Sequence, residues 1–250
     1  MKKTKLATAV GILGCAALLA ASPVKAGTPV EPTPMPEPSP EIGAEVSVGY
    51  DTHYIFRGFN FGENLVWGGV DVSVPLDDAL SLDLGSWYGT LADDPYDELN
   101  LLAGITYDLG GVQLGLGAIW YYFPQGSGGG GIGNDDAFEL GASIGGSLGL
   151  VDVGLGYYYD FETDGSYIEL GAESTIELSD RIALVPGAAI AYADDYYGVS
   201  GFNHIGVSLA LPIALTDTAT LKPYIAGTWE IDGSGADDEV YGGVSLSVSF

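Results

Sequence analysis

The chain has 250 residues, with seven Lys or Arg, 34 Asp or Glu and two His, for a formal charge of −27. Such a field repels nucleic acid and anionic surfaces and attracts cations, which excludes DNA and RNA as partners. With 47% hydrophobic residues, 16 Tyr and 39 Gly, the chain is too apolar and too aromatic to be disordered despite its charge.

Lys2, Lys3 and Lys5 precede the apolar stretch Leu6 to Ala21 and the small-residue site Val24-Lys25-Ala26. This order predicts a secretory signal peptide over residues 1–26. Ile12-Leu13-Gly14-Cys15 also fits a lipobox, but it ranks second because apolar residues follow Cys15 where a lipoprotein chain turns polar. Cleavage after Ala26 leaves Arg57, Arg181 and Lys222 against all 34 acidic residues, a formal charge of −31. Cys15 is the only cysteine, so the mature chain has neither a disulfide nor thiol chemistry.

From Gly27 to Glu41 proline falls at nearly every second position, which forbids ladder hydrogen bonds and favours polyproline II. Residues 27–43 are therefore expected to be a Pro-rich periplasmic linker, with a docking motif for a proline-reading partner as the alternative.

Beyond the signal no run of about 18 apolar residues occurs, so a transmembrane helix is excluded. From Ala44 to Phe250 apolar and small or polar residues alternate with period two, in twelve segments each near the roughly 9–11 residues that a tilted strand needs to cross a bilayer. The expected fold class is all-β: a transmembrane antiparallel up-and-down β-barrel of about 12 strands over residues 44–250. In the segment 167–178, Glu169, Glu173 and Glu177 would also align along a helix. Strict alternation of Ile168, Leu170, Ala172, Ser174, Ile176 and Leu178 favours a strand.

Connections alternate short and long. Pro75–Asp78, Leu109–Gly111, Gly149–Leu150 and Ser179–Arg181 are short, and Gly89–Asp97, Pro124–Asp136, Ala193–Gly201 and Glu230–Asp237 are long. The short set and both termini are expected on the periplasmic side. Tyr54, Phe56, Tyr88, Trp120, Tyr122, Phe138, Tyr159, Phe161, Tyr192 and Trp229 would then point outward beside long loops as an aromatic girdle in contact with outer-membrane lipid, with Tyr107 and Phe250 at the other rim. The alternation Val244, Leu246, Val248, Phe250 looks like the C-terminal signal read by the barrel-assembly machinery. A secreted β-sandwich would alternate too, but it predicts neither the one-sided girdle nor the loop rhythm.

The stretch from Val46 through Gly58, reading Val-Ser-Val-Gly-Tyr-Asp-Thr-His-Tyr-Ile-Phe-Arg-Gly, with Gly69-Val70-Asp71 after it, resembles the opening of the TorF-like outer-membrane porins, in which a tyrosine strand ends in Phe-Arg-Gly. The likeness covers about residues 44–123 and implies an outer-membrane porin.

The inward set is small and polar, including Gly49, Ser73, Gly85, Gly115, Gly117, Ser143, Gly156, Gly171 and Ser245. Small side chains leave room, so a narrow water-filled pore for passive diffusion of small cationic or neutral solutes is the leading expectation. Its pore-lining candidates are Asp51, His53, Arg57, Asp71, Asp83, Glu139, Asp152, Glu169 and Glu173. Arg57 is either part of a constriction or substrate-binding charge pair, or a structural partner that neutralises wall carboxylates.

No catalytic residue, metal site or cofactor is expected. Gly141-Ala142-Ser143-Ile144-Gly145 fits a nucleophile elbow but lies within a strand, and Gly130 to Asp135 is one isolated copy of a calcium-binding repeat. Two alternatives remain. One is a structural or adhesive barrel with a plugged lumen and cation-binding acidic loops. The other is a barrel-borne lipid hydrolase, which needs a Ser–His pair facing lipid, whereas His53 and His204 are predicted to face inward. The oligomeric state is not legible.

Overall fold

The computed structural model describes residues 42–124, 136–231 and 233–250. The expected signal peptide, the proline-rich stretch up to Glu41, the isolated calcium-like repeat and most of the glycine-rich loop Pro124–Asp136 lie outside the described residues.

Among the described residues fourteen strands run in chain order: β1 (Gly43–Phe56), β2 (Phe59–Pro75), β3 (Leu80–Leu91), β4 (Asp97–Asp108), β5 (Val112–Tyr122), β6 (Ala137–Leu148), β7 (Val151–Asp160), β8 (Gly165–Glu173), β9 (Ile176–Glu177), β10 (Ala183–Tyr196), β11 (Val199–Ala210), β12 (Ile213–Ala214), β13 (Ala219–Glu230) and β14 (Glu239–Ser249). All pairings are antiparallel, and apart from β1 with β14 they join strands that follow one another in the chain or are separated only by the two-residue β9 or β12. Pairing of β1 with β14, from Glu45 opposite Ser249 to Asp51 opposite Gly243, closes the sheet into a barrel. Closure leaves no edge with unpaired backbone groups, the condition for a sheet to sit in hydrocarbon.

The fourteen strands form twelve staves, because proline splits two of them. Ser174 donates to the carbonyl of Pro186 (3.1 Å), which has no N–H to return, and the stave divides there into β8 and β9. Pro212 likewise separates β11 from β12. The expected twelve-strand antiparallel barrel is the observed fold.

Turn chemistry at the end that carries both termini is explicit in side chains. Asp77 Oδ1 accepts the N–H groups of Ala79 and Leu80 (both 2.8 Å), Asp108 Oδ1 accepts that of Gly110 (2.7 Å), and Thr216 Oγ1 accepts that of Ala219 (2.9 Å). At the opposite end the expected long loop Ala193–Gly201 is not a loop. β10 continues to Tyr196, β11 begins at Val199, and Tyr197 (φ 49°) and Gly198 (φ 78°) form a two-residue turn with both φ values positive. Tyr-Gly lacks the Asn or Asp that usually advertises this turn, so the acidic run before it reads as a loop.

Alternate residues expose apolar side chains on the outer face, such as Leu101, Ile105 and Tyr107 on β4, Leu114, Leu116 and Trp120 on β5, and Ile205, Val207 and Leu209 on β11. Glu98, Asn100, Thr106, Glu139, Glu169 and His204 are buried inside. This inversion of a soluble protein's pattern is what a lipid-facing wall with a polar interior requires. At the end away from the termini, Trp120 and Tyr122, Phe138 and Phe161, and Tyr192 and Phe202 meet in pairs 5.6 to 5.9 Å between ring centroids, as the girdle predicts. Tyr107 and Phe250 are exposed at the other rim.

Candidate functional site: an inward-folded hairpin in the lumen

Two members of the expected girdle are placed differently. Tyr54 and Phe56 are buried, at 2% and 9% exposure, and pack inside the barrel with Leu65, Leu91, Tyr96, Ile119 and Tyr121. The ladder changes register between His53 and Ile55, where β2 takes one residue more than β1, and beyond this point both faces of the hairpin are enclosed, since the consecutive Tyr54, Ile55 and Phe56 are all buried. β2 enters the ladder with β3 only from Leu65 onward, so the tip from Tyr54 to Glu63 has no strand beside it other than its own two arms. Ile55 and Gly58, on the other side of the tip, face Ala189, His204, Gly206, Thr228 and Tyr241 across a cavity of about 10 Å³. A hairpin tip with opposite walls on both sides stands in the lumen.

The tip closes with Arg57 (φ 52°) and Gly58 (φ 89°), again a two-residue turn with positive φ. A Cβ on Gly58 would lie 2.6 Å from His204 Nδ1, so the second position takes glycine on two grounds. Asn203 on β11 and Asp237 in the loop between β13 and β14 hold the tip in place. Asn203 Nδ2 donates to the Arg57 carbonyl (3.1 Å), the Asp237 N–H donates to the Gly58 carbonyl (2.8 Å), and Asn60 donates from its backbone N–H to Asp237 Oδ2 (2.7 Å).

Arg57 thereby reaches β6. Its Nη1 and Nη2 donate to the two oxygens of Glu139, the second at 2.8 Å, and Nη1 also donates to the Tyr196 hydroxyl. Tyr121 and Tyr196 donate to Glu139 at 2.8 and 3.0 Å. The guanidinium lies 4.6 to 4.9 Å from the ring centroids of Phe56, Tyr158, Tyr167 and Tyr196. Glu139 is fully buried, and a bidentate carboxylate with aromatic faces is what a desolvated guanidinium needs.

The predicted pore-lining residues fall into two groups. Arg57, Glu139 and Glu169, the last accepting from Tyr167 (2.7 Å), belong to this packed layer. Asp51, Asp71, Asp83, Asp152 and Glu173 lie toward the termini. There Asp83 accepts from Ser73 (2.6 Å) and Thr106 (2.8 Å), Asp51 accepts from Trp67 and Tyr224 (both 2.7 Å), and Asp152 stands opposite Glu173. His53, 4.0 Å from Glu63 and from Glu239, marks where β1 leaves the wall. The lumen is thus an acidic vestibule that ends at a layer of tyrosines around Arg57.

The small inward residues make room less for water than for rings. A Cβ on Gly156 would meet the Tyr158 ring at 2.9 Å, so this glycine lets the ring lie across the wall. Glu98, which accepts from Tyr54 (2.7 Å), Tyr96 (2.6 Å) and Asn100 (2.7 Å), was not among the predicted residues, nor were the tyrosines. Inward phase at Glu98, Tyr158 and Tyr167 was the available signal. Among the described residues, no group of three His, Cys, Asp or Glu side chains is placed to hold a metal ion.

A closed antiparallel barrel with an apolar outer face, an aromatic girdle and ionisable groups inside is a transmembrane β-barrel. Solved outer-membrane porins and channels share this fold. The KdgM porin, also solved in complex with disordered oligogalacturonate, is similar with a TM-score of 0.53 and 9% identity over 82% of this chain and 99% of that one. The COG4313 outer membrane channel from Pseudomonas putida F1 gives 0.53 and 12% over 87% and 100%. The NanC porin gives 0.50 and 12% over 83% and 98%. No protein-family model matches the chain, and no curated protein matches it in sequence.

Proposed function

We infer that the protein is a porin-type channel of the outer membrane that passes small cationic or neutral solutes, with the β1–β2 hairpin as its constriction. The inward carboxylates Asp71, Asp83, Asp152 and Glu173 carry this inference, since a vestibule lined by them concentrates cations and repels anions. Barrel fold in common with porins supports the class, as does the likeness of Val46 to Gly58 to the TorF-like porins. These carboxylates favour a cation over a polyanion such as the oligogalacturonate bound by the KdgM porin. In this reading both termini lie in the periplasm, and the exposed Phe250 at that rim is the handle for the barrel-assembly machinery.

Complete burial of Glu139, Tyr167 and Tyr196 around Arg57 favours a second reading, a structural barrel whose lumen stays plugged. Single-channel recording of the refolded mature protein, with reversal potentials in a salt gradient, separates the two. Discrete cation-selective steps support the channel, and silence from a correctly folded barrel supports the plug.

A further inference from the structure

Arg57 is held as a protein holds a bound cation. Glu139 is on β6, Tyr158 on β7, Tyr167 on β8 and Tyr196 on β10, so four neighbouring staves supply a carboxylate and three aromatic faces. The guanidinium itself arrives from the far side of the barrel on a tip that joins the wall only through a few polar contacts and its packing. Charge is also lopsided there, because among the described residues Arg57 is the single cation beside three buried carboxylates, Glu139, Asp160 and Glu169. A structural ion pair needs one partner. Three wall rings at cation–π distance around a carboxylate that binds both terminal nitrogens form a receptor for a flat, delocalised cation, and they match a guanidinium better than an ammonium.

We propose that Glu139, Tyr158, Tyr167 and Tyr196 form a binding site for guanidinium-bearing solutes, and that Arg57 is its resident occupant. The proposal deepens the channel reading and rests on it for the solute's route, which runs from the acidic vestibule to the cage. A solute that competes with Arg57 releases the tip from Glu139, so occupancy of the cage and opening of the constriction are one event. Arg57 Nε is buried and has no hydrogen-bond partner among the described residues, so the wall's fit to the resident side chain is incomplete in the way a fit to an exchangeable ligand is.

The test uses R57A, refolded in micelles, with methylguanidinium chloride as the probe and urea as its uncharged counterpart, read by calorimetry. R57A binds methylguanidinium in the millimolar range, wild type binds far more weakly, and urea binds neither. Adding Tyr167→Ala to R57A weakens binding about threefold to thirtyfold. R57M, whose apolar chain fills the cage, folds and does not bind. Absence of binding by folded R57A, or equal binding by R57A and wild type, overturns the proposal. If R57A refolds poorly, its refolding yield is compared in the two additives: rescue by methylguanidinium alone supports the site, and equal yields overturn it. Calorimetry needs no conduction, so binding by a silent barrel sinks the channel and spares the cage, whereas conduction without binding does the reverse.

Discussion

The guanidinium of Arg57 lies on the carboxylate of Glu139, 82 residues away in sequence and five staves round the barrel, so one ion pair ties the tip of the first hairpin to the opposite wall. Neither group reaches water, since Arg57 is 5% exposed and Glu139 not at all. Removing one partner leaves the other charged and desolvated, and Glu139→Ala is expected to cost about 3–5 kcal/mol. Replacing both, as in R57M with Glu139→Leu, should cost less than the two single changes together. Urea titration of the folded fraction for the four proteins measures the difference. Additive costs would mean that the pair does not act as a unit.

Gly58 makes the turn possible. Its φ of 89° and its closeness to His204 leave no place for a Cβ, so Gly58→Ala should destabilise the tip by at least the ~1–2 kcal/mol of a left-handed non-glycine residue. Gly110 shares a positive φ (80°) but has open space around it, and Gly110→Ala should cost only the backbone term. The same titration compares them. Equal losses would show that the tip does not press on His204.

The barrel was legible in the sequence because a lipid-facing wall repeats one rule from Ala44 to Phe250, apolar out and small or polar in. The plug was not. After His53 the first hairpin leaves the wall, so both its faces lie inside, and a count by twos that assumes an outer face carries Tyr54 and Phe56 to the wrong side. In the run Tyr157-Tyr158-Tyr159 the period of two puts Tyr158 inward and its neighbours outward, but it does not show that the inward ring serves Arg57. Arg57 and Glu139 were both recognised as inward. Their pairing depends on a hairpin bending across the lumen, which no local pattern encodes.

Selectivity follows from the vestibule. Asp71→Asn, Asp83→Asn and Glu173→Gln together remove three negative charges while keeping size; Ser73 and Thr106 donate to different oxygens of Asp83, so after the change one hydroxyl donates to the amide oxygen and the other turns to accept from the amide nitrogen. The ratio of cation to anion permeability, from reversal potentials, should fall toward one with little change in folding. An unchanged ratio would place the selective step elsewhere, at the Arg57 layer.

The membrane itself is testable at Leu116. It lies near the middle of β5 with its side chain on the outer face, 58% exposed, between Leu114 and Trp120. At the midplane of a bilayer, Leu116→Arg should lower the stability of the folded barrel by about 2–4 kcal/mol, because an arginine there has neither water nor a partner. At an equally exposed position of a soluble β-sandwich the same change would stay within about 0.5 kcal/mol. Folding into lipid vesicles, followed by urea titration, reads this directly: a cost in the first range places the alternating apolar face in hydrocarbon, and a negligible one returns it to water.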